Sequence, residues 1–580
     1  MTAPADAGAG LAGAAARAEP LLALRRFRCR YPEAAGPALD DVDFAVGPGE
    51  MVAVMGASGA GKSTLLKCLT RIVPAFTRAE TSGSGVAFGR DLATLAPGEL
   101  AGQVGIVFQD FEAQLFSTNC ALEVGFAPQQ LGLSRETIER RTRLALERVG
   151  LGGFAARDPA TLSGGEKQRL AIAGVLALEP RVLLLDEPTT DIDPEGKRAV
   201  LDLLRALRHD GIAIVLVEHE ILAAESADRL LLLRDGRIAA QGDAATLLGD
   251  VTLLEACGVR PRDLDVIRHH LALPERLASI DDAERTLRAR GVAALSDAPD
   301  GGGIPATAAA SAVPLLEVAD VRFSYDGARV VLDGVSLAIA AGEYVALIGR
   351  NGSGKTTLAK HLNGLLAPSS GVVLLDGTDM HGLRLGDVAR AVGFVFQDPD
   401  HQLFCATVEE EVAYGPRHLG LRPDEVEERV ARALDVCGLE GRRAQDPFLL
   451  RKGERQRLAI AAVLATEPRA LILDEPTTGL DHREQRAILD LLAELHRTGR
   501  TIVVITHAPW LVAEHATRAV VMARGRVLLD GGMRELFRAT DVLDEASFVL
   551  PDAALLGLRF GATVRSSGDL VARAERGIAP

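Results

Sequence analysis

Val52-Ala53-Val54-Met55-Gly56-Ala57-Ser58-Gly59-Ala60-Gly61-Lys62-Ser63-Thr64 passes from a short apolar run into a glycine-rich loop that ends in lysine and hydroxyls. The same grammar returns at Tyr344–Ile348, followed by Gly349-Arg350-Asn351-Gly352-Ser353-Gly354-Lys355-Thr356-Thr357. The apolar run reads as a buried strand and the loop as the opening of a helix. Glycines let the backbone wrap so that its N–H groups face phosphates. Lys62 and Lys355 would neutralise phosphate charge, and Ser63 and Thr356 would ligate Mg²⁺. One such match also fits a plain glycine-rich turn. Two matches, each behind a strand, favour nucleotide binding.

Working outward, other segments repeat at a constant offset. Val107-Phe108-Gln109-Asp110 returns as Val395-Phe396-Gln397-Asp398, and Asp186-Glu187-Pro188-Thr189-Thr190 as Asp474-Glu475-Pro476-Thr477-Thr478; His219 returns as His507. Each pair is 288 residues apart (397−109, 474−186, 507−219), whereas Lys62 and Lys355 are 293 apart. The first copy therefore carries five extra residues before its glutamine, placed at Pro74–Gly85 against the shorter Ala367–Gly371. The chain is one domain duplicated in tandem, with a period far too long for a solenoid.

Within each copy, strand-like segments (Ala23–Tyr31, Val182–Leu185 and Ile212–Val217; Leu316–Tyr325, Leu471–Leu473 and Ile502–Ile505) alternate with helical spacing at Glu136–Val149 and Asp424–Val436. Each copy closes with a hairpin at Asp235-Gly236 or Arg524-Gly525. Such alternation predicts a mainly parallel α/β core. The expected layout is a disordered tail at 1–20, a first domain with C-terminal extension at 21–290, a linker at 291–314 and a second domain with extension at 315–580. A flexible linker of this size reaches about 25 Å. The adjacent His269 and His270 diverge on a helix and read as solvated surface, not a ligand pair.

Candidate chemistry follows the repeat. Asp186 and Asp474 end apolar strands, where a carboxylate reaches Mg²⁺ directly or through water. The neighbouring Glu187 and Glu475 can position or deprotonate an attacking water. His219 and His507 follow strands at a place that suits an imidazole contacting a γ-phosphate; an isolated histidine there would be a cap or core residue. Tyr31 and Tyr325 precede their lysines by 31 and 30 residues (62−31, 355−325), and either stacks on adenine or packs in the core. Leu162-Ser163-Gly164-Gly165-Glu166-Lys167-Gln168-Arg169 opens an amphipathic helix with free N–H groups and a hydroxyl, an anion site. Its second copy reads Leu450-Arg451-Lys452-Gly453-Glu454-Arg455-Gln456-Arg457, with cations where the serine and first glycine stood.

The 580 residues carry a net charge of −15, which gives no reason to expect nucleic acid. Six scattered cysteines suggest neither a disulfide nor a zinc framework and fit a reducing cytosol. The longest apolar runs are far too short to span a bilayer, so a membrane role must come through a partner. The N-terminus lacks the pattern of a signal peptide.

The order phosphate loop, Gln, Leu-Ser-Gly-Gly-Glu, Asp-Glu, His resembles the ATP-binding cassette (ABC) ATPases, in both halves of the chain. The resemblance implies two tandem P-loop ATPase domains, each a mainly parallel α/β core with an antiparallel β subdomain and a helical subdomain. It implies ATP and Mg²⁺ as cofactors, with Ser63, Thr356, Gln109, Gln397, Asp186 and Asp474 around the metal. It also implies head-to-tail pairing of the two cassettes: Ser163, Gly164 and Gly165 cap the ATP on Lys355, Arg451 and Lys452 cap the one on Lys62, and Asp193 and Asp481 cross the interface. The Lys62 site is then degenerate.

More narrowly, Gln109-Asp110-Phe111-Glu112-Ala113-Gln114-Leu115-Phe116 and Gln397-Asp398-Pro399-Asp400-His401-Gln402-Leu403-Phe404 resemble the Q-loops of energy-coupling factor transporter ATPases, with Phe111 where proline is usual. That implies a peripheral protein at the cytoplasmic face of the membrane, serving a transmembrane coupling protein and a substrate-binding membrane protein in uptake of a vitamin or transition-metal ion. Leu115-Phe116 and Leu403-Phe404 then line an apolar groove for a partner helix, or pack at a sheet edge. The alternatives are an ABC importer for peptides or other solutes, and a soluble twin-cassette ATPase acting on ribosomes or DNA.

Overall fold

The computed structural model describes residues 19–577 apart from Glu33, Ala35, Asp191, Asp193, Ala328 and 297–312. The expected tail, except for its last two residues, and most of the expected linker lie outside the described residues. Two compact units divide between Arg260 and Pro261.

In the first unit a six-stranded sheet has the order Arg237–Asp243, Arg229–Arg234, Met51–Gly56, Ala213–Val217, Val182–Asp186, Val104–Val107. Five of its strands run parallel and the hairpin strand Arg237–Asp243, at one edge, runs antiparallel. Met51–Gly56, Val182–Asp186 and Ala213–Val217 are buried at every position, which is why they read as unbroken apolar runs. A four-stranded antiparallel sheet (Leu39–Val46, Leu22–Arg30, Glu80–Ala87, Arg90–Asp91) and a group of helices (Cys120–Gln130, Arg135–Arg148, Gly164–Leu176) complete the cassette.

The second unit repeats this plan. Its sheet runs Val392–Val395, Ala470–Asp474, Thr501–Ile505, Tyr344–Ile348, Arg518–Ala523, Arg526–Gly532, and its antiparallel sheet runs Val330–Ile339, Leu316–Ser324, Ser370–Leu375, Thr378–Asp379. The sequence insertion has a visible result. Glu80–Ala87 is eight residues long and pairs with the first strand as far as Arg30↔Glu80, whereas its six-residue counterpart stops at Arg322↔Ser370. The hairpin turns place Asp235 and Gly236 at φ 51° and 77° and Arg524 and Gly525 at 48° and 75°, both in the left-handed region that a tight two-residue hairpin needs.

The expected boundary at residue 290 differs from the observed division. Helices Asp263–His270 and Ile280–Ala289 belong to the second unit, where they meet Asp552–Arg559 and Ser567–Gly577. Leu264, Ile267, Leu287 and Leu295 share one core with Leu556, Phe560, Val564 and Leu570. Polar contacts cross between the copies: the Ala553 N–H donates to Asp263 (3.3 Å), Leu295 N–H to the Phe560 carbonyl (3.0 Å), and Arg573 to the Ser296 carbonyl (3.0 Å). The two extensions bury their apolar stripes against each other because neither pair of short helices has a core of its own; each fully buried aliphatic side chain contributes about 1.5–3 kcal/mol. His269 and His270 are exposed, with their rings edge to face at 5.4 Å.

Candidate nucleotide sites

Each phosphate loop leaves its strand through a glycine that no other residue can replace. Gly56 has φ 153°, and a Cβ there would lie 2.2 Å from the Leu233 carbonyl oxygen; Gly349 has φ 151° and the same conflict at 2.1 Å with Met522. Gly61 (φ 104°) and Gly354 (φ 102°) turn the chain into helices Lys62–Leu69 and Lys355–Leu362. Lys62 Nζ donates to the carbonyls of Gly56 (2.8 Å) and Ala57 (3.0 Å), and Lys355 Nζ to those of Gly349 (2.7 Å) and Arg350 (3.0 Å). Both ammonium groups are thus buried and folded over their own loops. Burial pulls the Lys355 pKa down against the opposing pull of Glu475 and Asp474.

The structure brings the strand-end acids to these loops. Burial raises the pKa of Asp186 and Asp474, while hydrogen bonds from Ser63 and Thr356 respectively lower it. Asp186 Oδ1 is buried without a hydrogen-bond partner. Among the described residues no cluster of three or more His, Cys, Asp or Glu side chains is poised to hold a metal. A hydroxyl, one carboxylate with an open oxygen, and a phosphate-binding loop are what Mg²⁺ takes when most of its shell is water and phosphate, so the residues fit that ion.

The next residue in each copy stands at positive φ, 52° at Glu187 and 47° at Glu475. Non-glycine residues avoid that region, and strain of this kind gathers where a side chain must be aimed. His219 Nε2 lies 2.8 Å from Glu187 Oε1, and His507 Nε2 lies 3.1 Å from Glu475 Oε1. Gln109 Nε2 donates to Glu187 Oε2 at 2.7 Å, whereas Gln397 makes no such bond to Glu475. Burial pushes Glu475 up to about 7, with Lys355 opposing. A carboxylate held by an imidazole beside a phosphate loop can orient a water molecule and accept its proton.

Tyr31 and Tyr325 fall beside the loops: their hydroxyls lie 3.3 Å from Thr64 Oγ1 and 3.2 Å from Thr357 Oγ1. Tyr325 is 61% exposed, while Tyr31 packs partly against the core.

Ser163 caps helix Gly164–Leu176. Its Oγ accepts from the Glu166 N–H (3.3 Å), and Glu166 Oε2 accepts from the Ser163 N–H (2.8 Å). Arg451 holds the same place before Lys452–Leu464, keeps the backbone half of the box to Glu454 (3.0 Å), and supplies no side-chain cap. Each of these helices is tied to its Q-loop, Lys167 to Glu112 at 2.7 Å and Arg455 to Asp400 at 2.7 Å.

The pair of apolar residues closing each Q-loop divides its work. Leu403 is buried and Leu115 packs against the core, whereas Phe116 (63%) and Phe404 (60%) are exposed. Phe116 meets Phe126 edge to face with centroids 4.7 Å apart, and Phe404 meets Tyr414 at 4.7 Å.

The ABC transporter family profile matches residues 39–190 and 332–478, which hold the phosphate loops, the Q-loops, the starts of the capped helices and the strand-end acids, while His219 and His507 lie beyond the matched ranges. This chain belongs to the ABC transporter ATP-binding proteins. It is 40% identical over 554 residues to one described as such from Caldanaerobacter subterraneus subsp. tengcongensis, covering 93% of this chain and 96% of that one. A second, from Methanosarcina acetivorans, is 38% identical over 558 residues, covering 93% and 90%. A solved structure of cbiO1 from Clostridium perfringens, described as part of the ABC transporter complex cbiONQ, is 37% identical and matches 42% of this chain and 98% of that one, with a TM-score of 0.38. ABC proteins of this kind are ATPases that bind ATP with Mg²⁺. Among the described residues no helix is long and apolar enough to cross a membrane.

The sequence did not single out Glu218. It directly follows the buried strand Ala213–Val217, one residue before His219, is 1% exposed, and stands where the second copy has Thr506 (506−218 = 288). That break in the repeat was the available signal.

Proposed function

We propose that this chain is the ATP-hydrolysing subunit of a membrane importer of the energy-coupling factor type, taking up a vitamin or a transition-metal ion. It sits at the cytoplasmic face of the membrane on a transmembrane coupling protein, beside a substrate-binding membrane protein. The observation that carries this reading is the exposed aromatic pair ending each Q-loop, Phe116 with Phe126 and Phe404 with Tyr414. An exposed aromatic patch at the end of the loop that begins at Gln109 or Gln397 suits docking of an apolar helix and transmission of site occupancy to it.

Within each cassette, Lys62 and Lys355 with their loops hold the phosphates. Ser63, Asp186 and Gln109, and Thr356, Asp474 and Gln397, hold Mg²⁺, which neutralises phosphate charge when bound. Glu187 and Glu475 orient and deprotonate water, His219 and His507 contact the γ-phosphate, and Tyr31 and Tyr325 face adenine. The cassettes pair within the chain, so that ATP favours the closed state by contacts made only there. Ser163, Gly164 and Gly165 serve the ATP on Lys355. Arg451 and Lys452 serve the ATP on Lys62, the degenerate site. The missing side-chain cap at Arg451 supports this inequality.

Co-purification tests the reading. A membrane protein should follow the full chain out of detergent extracts, and Phe116→Ala with Phe404→Ala should release it. A chain that draws no membrane protein and binds ribosomes instead would overturn it.

A further inference from the structure

Glu218 is a buried carboxyl that the reaction, as described above, does not use. Its Oε1 accepts from both the backbone N–H (3.0 Å) and the hydroxyl (2.7 Å) of Thr189, and its Oε2 accepts from the N–H of His219 (3.3 Å). One side chain thus ties together the segment two residues after Glu187 and the residue whose imidazole holds Glu187. Thr506, its counterpart, accepts instead from the Ala508 N–H at 3.0 Å.

The two copies differ in step with this. The first copy has the shorter histidine–glutamate contact, 2.8 against 3.1 Å, with the histidine 14% rather than 27% exposed. Only there does the Q-loop glutamine also bind the carboxylate. Burial of Glu218, the chief influence, pushes its carboxyl up to about 8; Glu220 and Glu187 add to this, and the Thr189 hydroxyl and Lys197 oppose it. Lys197 itself pairs with Glu220 at 2.6 Å. Keeping such a group in a core is costly unless its bonds do something there.

We propose that Glu218 is a positioning residue of the Lys62 site, clamping Thr189 to the His219 backbone so that the Glu187–His219 pair is built before nucleotide arrives. The second copy has Thr506 there, whose hydroxyl accepts from the Ala508 N–H instead. The role given to Glu218 rests on the reading of His219 as the γ-phosphate contact. A preset imidazole favours ATP over ADP, which lacks the group it touches.

The test uses the full chain carrying Lys355→Ala, so that nucleotide binds at Lys62 alone, with fluorescent ribose-labelled ATP and ADP as probes. Glu218→Thr should cut the preference for ATP over ADP about fivefold while ADP affinity holds, the loss expected for one buried hydrogen-bond partner. Glu218→Gln, whose amide oxygen still accepts from Thr189 but whose amide nitrogen cannot accept from the His219 N–H, should lose about half as many fold of the preference as Glu218→Thr. Hydrogen exchange at the Thr189 amide should speed up in Glu218→Thr and not in Glu218→Gln. Thr189→Val, which removes only the hydroxyl, should move the preference in the same direction and serves if Glu218→Thr does not fold. An unchanged preference in Glu218→Thr, or an equal loss in Glu218→Gln, overturns the proposal. His219→Ala is the separate control: if it leaves the preference intact, the γ-phosphate reading fails whatever Glu218 does.

Discussion

The two nucleotide sites are near copies in their loops and unlike in what surrounds them. At the first, Glu187 is gripped by His219 and Gln109, and Glu218 locks the adjoining backbone. At the second, Glu475 has His507 at 3.1 Å; a long threonine contact is common to both sites, Thr190 to Glu187 (3.5 Å) and Thr478 to Glu475 (3.4 Å). The helix caps are unequal in the other direction: the first copy carries the complete box at Ser163 and the second the half box at Arg451. Duplication gives two sites the same phosphate geometry, because that geometry is set by backbone. Side-chain substitutions around it can then diverge without disturbing it.

The sharpest way to break this comparison is at the carboxylates. Glu475→Gln should lower ATP turnover of the assembled transporter by about a hundredfold or more, the usual worth of a general base. Glu187→Gln should cost much less. Equal losses, or a larger one from Glu187→Gln, would show two equivalent sites.

The acid limb of the pH–rate profile comes next. Because burial raises Glu475 to about 7, the base is protonated below that pH, and turnover should fall as pH drops through 7, approaching about tenfold per unit. The linked stability runs the opposite way. The folded state binds the extra proton between about 4.5 and 7, so this group's contribution to stability declines as pH rises through that window. A rate that stays flat down to pH 5 would remove Glu475 from the role of base.

Smaller effects test the caps. Ser163→Ala should cost about 1 kcal/mol in denaturant unfolding of the first unit, and Arg451→Ser should return about as much to the second. If Arg451→Ser gives nothing, the backbone bond to Glu454 already suffices. Smallest of all, Lys167→Ala and Arg455→Ala each remove a partly exposed ion pair worth at most about 1 kcal/mol. They should change stability little, and any effect on turnover would mark the tie between capped helix and Q-loop as a coupling element.

Much of this was legible in the residues. The phosphate loops, the strand-end acids and the duplication were read from sequence because each depends on local chemistry: glycines where φ is positive, apolar runs where a parallel strand is buried on both faces, and a constant offset between copies. Strand and helix limits moved by only a residue or so, as at Glu136–Val149, observed at Arg135–Arg148. For Tyr31 and Tyr325 the sequence allows both adenine and core; the structure sets both hydroxyls beside the loop threonines, and of the two Tyr325 is widely exposed.

What only the tertiary structure decided are contacts between distant segments. Periodicity shows that Asp263–His270 and Ser567–Gly577 each have an apolar stripe, but not that they cover one another. Composition cannot separate Leu115 from Phe116, since both are apolar; the fold packs the one against the core and exposes the other. In the sequence Glu218 is one acid among many; the fold closes over it and sets Thr189 against its oxygen. Sequence fixes what a residue can bond to; burial, which depends on the whole chain, decides what it does bond to.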